Sequence, residues 1–92
     1  MNRDQLRAAI DQLDDRMVEL LAERAAIVAT LWTLKQAHGE PFRDPRREEV
    51  MRARLSAAAQ ARGLDATAVL RVFAAIIGEP LYPQDDTRLT DP

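Results

Sequence analysis

The sequence predicts an all-α protein with three helices, and two observations support this prediction. Every Gly and Pro lies at position 39 or later, so one long uninterrupted segment is followed by two shorter ones. Within each segment, apolar residues recur at spacings of three and four, the period of one helix face. Helices of about 35, 17 and 13 residues with short links account for the chain without strands. Its 92 residues suit one domain.

The first helix is predicted from about position 2 to 37, with Asn2 or Asp4 as its N-cap. Two adjoining rows of apolar residues make one wide face. Such a helix is roughly 50 Å long, which exceeds the width of so small a domain. We therefore expect a partner helix from a second copy of the chain. The rows consist mainly of Ile10, Leu13, Met17, Leu20, Leu21, Ile27, Val28, Leu31 and Leu34.

Charged residues interrupt this apolar face. Arg24 belongs to both rows, and Lys35 follows eleven positions later, close to three full turns. One interpretation pairs Arg24 with Asp14 or Glu48 and lets Lys35 reach solvent at the helix end. The other interpretation places both cations in an internal anion site between helices. Arg7 lies about 100° from their line, so it is either a solvated arginine or a contribution to a partner chain's site.

The second helix is predicted from about position 45 to 62, with Asp44 as N-cap and Pro45 at its first turn. Gly63 ends it, and Asp65 caps a third helix from about 66 to 78. The expected apolar faces are Val50, Met51, Leu55, Ala58 and Ala59, and then Val69, Leu70, Val72, Phe73, Ile76 and Ile77.

Glu48 is the one carboxylate that this pattern turns inward, because it precedes Met51 and Leu55 by three and seven positions. The alternative for Glu48 is an ion pair with Arg52, and the alternative for Arg47 is full solvation.

Several classes of site and partner are not expected. The chain has no cysteine and one histidine, His38, so neither a disulfide nor a zinc site is predicted. A net charge of −2 with interleaved signs gives no case for nucleic acid. The sequence has neither an apolar run of membrane-spanning length nor a signal-peptide core, so we expect no membrane contact and a cytoplasmic location. No motif indicates a cofactor or a metal.

The remaining candidates are cations, one inward carboxylate and helix-start amides. Such a site suits a small dicarboxylate with a hydroxyl group, and it can catalyse a unimolecular rearrangement by restraint and electrostatics. The joint spacing resembles the all-helical, type II chorismate mutase family over roughly residues 4–84. The resemblance rests on Arg7, Arg24, Lys35, Arg43-Asp44, Arg47-Glu48, the segments LLAER (20–24) and LDA (64–66), and Ile76-Ile77.

The resemblance implies an intertwined homodimer whose long first helices span both subunits. Each of two sites takes one arginine from the other chain. Arg24, and Arg7 of the partner, are expected to clamp the two substrate carboxylates. Lys35 is expected to donate to the ether oxygen as the C–O bond breaks. The implied reaction is the Claisen rearrangement of chorismate to prephenate, in the shikimate pathway to Phe and Tyr.

Three further residues receive roles from the same resemblance. Glu48 and the backbone amide of Asp44 are expected to bind the ring hydroxyl, and Arg47 to support the carboxylates. The catalytic set is thus Arg7, Arg24, Lys35 and Glu48, and Asp44, Arg47 and Gln84 complete the binding set.

The end of the chain departs from the family pattern. The family has a serine where this chain has Pro80, and Gln84, the second donor to the ether oxygen, lies beyond Pro80 and Pro83. A regular helix cannot carry Gln84 into the site, so either the chain bends or Lys35 acts without it. The helical domain is expected at 1–84 and a polar, frayed tail at 85–92.

Three rival functions stay open at this point. An isochorismate pyruvate lyase on the same fold tends to lack the inward Glu48. An aminodeoxychorismate mutase is compatible with Glu48. A non-catalytic helical dimerisation or regulatory module has no use for buried cations. Activation by a partner enzyme is also left open.

Overall fold

A computed structural model describes residues 1–78, and every regular element in that range is an α-helix. The helices are α1 (Arg3–Ala37), α2 (Pro45–Ala61) and α3 (Ala66–Ile77). The chain divides into two compact units, of which the first is Met1–Phe42 with α1 and the second begins at Arg43 with α2 and α3. The all-α prediction is confirmed for the described residues. The predictions for Pro80, Pro83, Gln84 and the tail at 85–92 lie outside the described residues.

Both ends of α1 follow from local chemistry. Asn2 is the N-cap: its Oδ1 accepts from the Gln5 amide at 2.8 Å, and the Gln5 side chain accepts from the Asn2 amide at 2.9 Å. This reciprocal capping box decides between the two expected caps in favour of Asn2. After α1, Gly39 adopts a φ of 68°, which suits glycine, and the Glu40 amide bonds the Lys35 carbonyl at 2.8 Å.

The shorter helices also begin at their predicted caps. The Asp44 carboxylate accepts from the Arg47 amide, and the Asp65 carboxylate from the Thr67 amide, both at 3.1 Å. The third helix ends at Ile77, one residue before the predicted end, because Gly78 turns into the left-handed region with a φ of 82°.

The second unit has a small apolar core between α2 and α3. Leu55 and Leu70 are buried there, with Met51, Phe73 and Ile77 packed against them. Val50 and Val72 were expected on the core faces, but they are 58% and 51% exposed in the single chain. Two packed helices bury only the narrow stripe between them, so residues at the margins of a wider apolar face stay uncovered.

The apolar face of α1 is uncovered within the single chain, since α1 has no buried residue. Monomeric proteins rarely leave so long an apolar stripe exposed. None of the helices in residues 1–78 combines the length and apolar character needed to cross a membrane. The exposed large apolar side chains of α1 are Leu6, Ile10, Leu13, Met17, Val18, Leu20, Leu21, Ile27, Leu31, Trp32 and Leu34.

Candidate active site

Two of the three predicted cations on α1 stand out by their burial. Arg24 and Lys35 are half-buried on a helix that is otherwise almost wholly exposed, whereas Arg7 is exposed. Eleven positions separate the first two, so they lie on nearly the same line about 16 Å apart along the axis. The helix geometry therefore confirms the predicted alignment of Arg24 with Lys35, and it sets Arg7 on a different side.

Lys35 is held at the end of α1. Its Nζ donates to the Phe42 carbonyl at 3.1 Å, in the segment that follows the helix. The ammonium therefore bonds an exposed backbone oxygen at the helix end, which is compatible with both interpretations of Lys35. An ammonium has three N–H donors, so two remain for another acceptor.

The rings of Trp32 and Phe42 stack beside Lys35, with centroids 4.7 Å apart and planes 23° from parallel. No role for either ring was predicted from the sequence. Their separation of ten positions matches no helix period, so only the path of the segment after Gly39 brings them together.

Arg24 forms no ion pair within residues 1–42. Asp14, one of its expected partners, lies ten positions away, which is about 15 Å along the helix and beyond the reach of the two side chains. Pairing with Asp14 of the same chain is therefore wrong. A guanidinium presents a fork of N–H donors whose geometry matches a carboxylate.

The start of α2 gathers the other predicted residues. Asp44 is the N-cap, Arg47 supplies the amide that Asp44 binds, and Glu48 follows in the first turn. Glu48 pairs with Arg43 through two bonds: Nη2 to Oε1 at 2.8 Å and Nε to Oε2 at 3.2 Å. The Glu48 side chain is 23% exposed and that of Arg43 57%, so the carboxylate is the better shielded partner.

The expected alternative for Glu48, an ion pair with Arg52, is wrong. Arg52 instead bonds Glu49, one turn back on the same helix. The hydrogen bond that Arg52 donates to Glu49, and then the negative charge of Glu49, raise the pKa of the Arg52 guanidinium. This exposed pair leaves Glu48 to Arg43.

The contact of Arg43 with Glu48 was not predicted from the sequence. Arg43 was part of the quoted motif, but no contact was expected from it. It precedes Glu48 by five positions, across the N-cap, and this spacing is not a helical one. The signal was the motif itself, an arginine directly before the capping aspartate.

Each unit thus presents one half of the predicted chemistry. The first unit carries the cations Arg7, Arg24 and Lys35, and the second carries Asp44, Arg47 and Glu48. Residues 1–78 contain no group of three His, Asp or Glu side chains placed to hold a metal ion. Gln84 lies beyond the described part of the chain.

Comparison with known proteins assigns the family. The family model described as chorismate mutase type II matches residues 6–82, most of the chain. The chain belongs to the chorismate mutase type II family. The matched range includes every predicted site residue except Gln84, which lies two positions past its end.

Curated relatives include both single-function and bifunctional proteins. A chorismate mutase of Methanocaldococcus jannaschii is 26% identical over 73 residues, covering 79% of this chain and 74% of that protein. The bifunctional chorismate mutase/prephenate dehydratase of Escherichia coli K12 is 34% identical over 79 residues, covering 86% of this chain and 20% of that protein. The protein of the same name from Buchnera aphidicola is 30% identical over 78 residues, covering 85% of this chain and 20% of that protein.

The chain thus spans a fifth of the length of the bifunctional relatives that it matches. No solved structure matches it significantly.

Proposed function

We propose that this chorismate mutase family member catalyses the rearrangement of chorismate to prephenate. The observation that carries the proposal is the family match over residues 6–82, because it contains the cations of α1 together with Glu48. In the reaction, a C–O bond of the ether breaks while a new C–C bond forms within one molecule. It needs neither a nucleophile nor a proton transfer, so restraint and electrostatics are sufficient.

The carboxylate clamp consists of Arg24 and, from a second chain, Arg7. A guanidinium matches a carboxylate with two parallel N–H donors, and such charge-assisted bonds are stronger than neutral ones. The half-burial of Arg24, without an ion pair in its own unit, supports this role. Arg47 adds positive charge at the start of α2.

Lys35 acts on the transition state. Negative charge grows on the ether oxygen as the C–O bond lengthens, and an N–H of Lys35 donates to it. A donor of this kind is worth about 3–4 kcal/mol where water is excluded. Gln84 is the second donor that the family resemblance proposes.

Glu48 accepts the ring hydroxyl, together with the Asp44 amide as donor. An ionised carboxylate has about four lone-pair sites, so the two bonds from Arg43 leave capacity for a hydroxyl. Glu48 also favours a mutase over an isochorismate pyruvate lyase.

We propose further that two chains form a homodimer with shared sites. The uncovered apolar face of α1 supports this, since a second α1 is its simplest cover. The fusion of chorismate mutase to prephenate dehydratase, as named in the bifunctional relatives, suggests that an enzyme acting on prephenate is a partner for this chain.

The test is turnover of chorismate, followed by loss of its ultraviolet absorbance, with prephenate identified as product. Isochorismate and aminodeoxychorismate serve as rival substrates. We expect Arg24→Ala to lose most activity while it stays folded, because a charge-assisted contact is worth about 1.5–3 kcal/mol. The matched control is Arg16→Ala, an exposed arginine on the same helix, which should keep wild-type activity.

Preferred turnover of either rival substrate would replace the mutase proposal by that activity. A folded wild-type protein that turns over none of the three would instead favour a dimerisation or regulatory module.

A further inference from the structure

Two residues near the end of α1 and one in the segment after it form a connected group. The Trp32 ring stacks on the Phe42 ring at 4.7 Å, and the carbonyl of Phe42 accepts from Lys35 Nζ at 3.1 Å. Trp32 and Lys35 are three positions apart on α1, so they lie on neighbouring turns of the same side. Phe42 thus contacts one of them through its ring and the other through its backbone.

The stack is not part of a hydrophobic core. Trp32 is 49% exposed and Phe42 47% exposed, although large aromatic residues gain most from full burial. The segment between them is held to the helix by the bond from the Glu40 amide to the Lys35 carbonyl. Fixing the Phe42 ring therefore also fixes the carbonyl that Lys35 uses.

We propose that Trp32 and Phe42 are positioning residues for Lys35. Their ring stack, which we call the Trp32–Phe42 clasp, holds the Phe42 carbonyl where it orients the Lys35 ammonium. The inference rests on the proposed function in one respect, namely that Lys35 donates to the ether oxygen.

The chemistry requires such a device because lysine is a point charge on a flexible four-carbon stem. A donor stabilises developing charge best when it is already in place, so that nothing reorganises during the reaction. The Phe42 carbonyl occupies one of the three N–H groups and leaves two for the substrate. As a neutral acceptor, it does not cancel the charge of the ammonium.

The size of the effect is bounded by the stack itself. The free energy by which the clasp orients Lys35 cannot exceed the free energy of the ring stack. Loss of the stack should therefore lower kcat about two- to tenfold. KM should change little, since the carboxylate clamp is untouched. Removing Lys35 itself should cost much more.

Kinetics of paired variants test the positioning role. Phe42→Leu and Trp32→Leu break the stack, Phe42→Tyr keeps it, and Thr33→Ala is the matched control on the same helical turn. We expect the kcat loss in the first two variants and wild-type kcat in the other two.

The double variant is a separate test. In the Lys35→Ala background, Phe42→Leu should cause no further loss of kcat. An equal loss in that background would overturn the proposal, because the rings would then act without Lys35.

Fluorescence gives a readout that does not depend on activity, since Trp32 is the only tryptophan. Phe42→Leu should make Trp32 more accessible to acrylamide quenching. Lys35→Ala should do the same, because the Lys35 bond and the stack hold the same residue. Circular dichroism confirms that each variant is folded. Unchanged quenching in either variant would overturn the proposal.

The two failures are distinguishable. A wild-type protein without mutase activity would refute the proposed function, and the quenching of the Lys35→Ala variant would still decide whether the rings and Lys35 are coupled.

Discussion

Glu48 is held by a partner that lies outside its own helix. Arg43 donates two bonds to it from the residue before the N-cap, while the next carboxylate, Glu49, takes up Arg52. Two adjacent glutamates thus acquire different partners because they point to different sides of α2. The two bonds from Arg43 therefore orient the Glu48 carboxylate, although its side chain is not fully buried.

At the same scale, Lys35 and Gln84 are both proposed donors to the ether oxygen, but they differ in how firmly each is positioned. Lys35 is on α1 and its ammonium is already bonded. Gln84 follows two prolines that a regular helix does not accommodate. We expect Lys35→Ala to lower kcat at least about a hundredfold, and Gln84→Ala less than about tenfold.

Steady-state kinetics on both variants check this, with circular dichroism as the control for folding. Equal losses would show that Gln84 is also preorganised, and the sequence-based expectation for the end of the chain would then be wrong.

At the scale of the helices, local signals were predictable and contacts across a link were not. The caps Asp44 and Asp65 were predicted, and Asn2 was one of two candidates, because a cap depends on residues two or three positions away. The pairs Arg43–Glu48 and Trp32–Phe42 were missed because no helix period connects their members. Their geometry depends on how the chain turns after Gly39, which spacing rules do not describe.

What covers the exposed face of α1 is likewise not predictable from spacing within one helix. Periodicity shows that a face is apolar, but not what covers it. The apolar stripe was therefore predictable, and the single chain leaves its residues uncovered, such as Ile27 at 70% exposure. A partner helix as its cover stays a prediction. Whether Arg7, Arg24 and Glu48 share one site stays a prediction for the same reason.

The pairing of α2 with α3 depends on few buried residues, so each should matter. Leu70 is 5% exposed and packs with Leu55. We expect Leu70→Ala to lower the free energy of unfolding by about 2–5 kcal/mol, through lost burial and the cavity left behind. Urea unfolding at fixed protein concentration measures this, because any association of chains adds to the apparent stability.

The matched control is Arg71→Ala, an exposed position on the same helix, which should stay within about 0.5 kcal/mol of wild type. If both substitutions had the same small effect, the core between α2 and α3 would not be a source of stability.

For the whole molecule, the proposed shared sites have a consequence that a monomeric site lacks. If each site takes Arg24 from one chain and Arg7 from the other, a mixed dimer of Arg7→Ala and Arg24→Ala chains has one intact site. Its second site lacks both arginines. Two inactive proteins should therefore regain activity on mixing, with about a quarter of the wild-type rate per chain if dimers re-form at random.

The experiment begins with sedimentation at low micromolar concentration, where we expect two chains per particle. Subunit exchange in the mixture is then verified by native mass spectrometry before activity is measured. The matched control mixes Arg7→Ala with the double variant Arg7→Ala/Arg24→Ala, which cannot form an intact site and should stay inactive. A stable, active monomer, or no recovery after verified exchange, would contradict a site shared between two chains. A monomer would also mean that the apolar face of α1 needs a different cover.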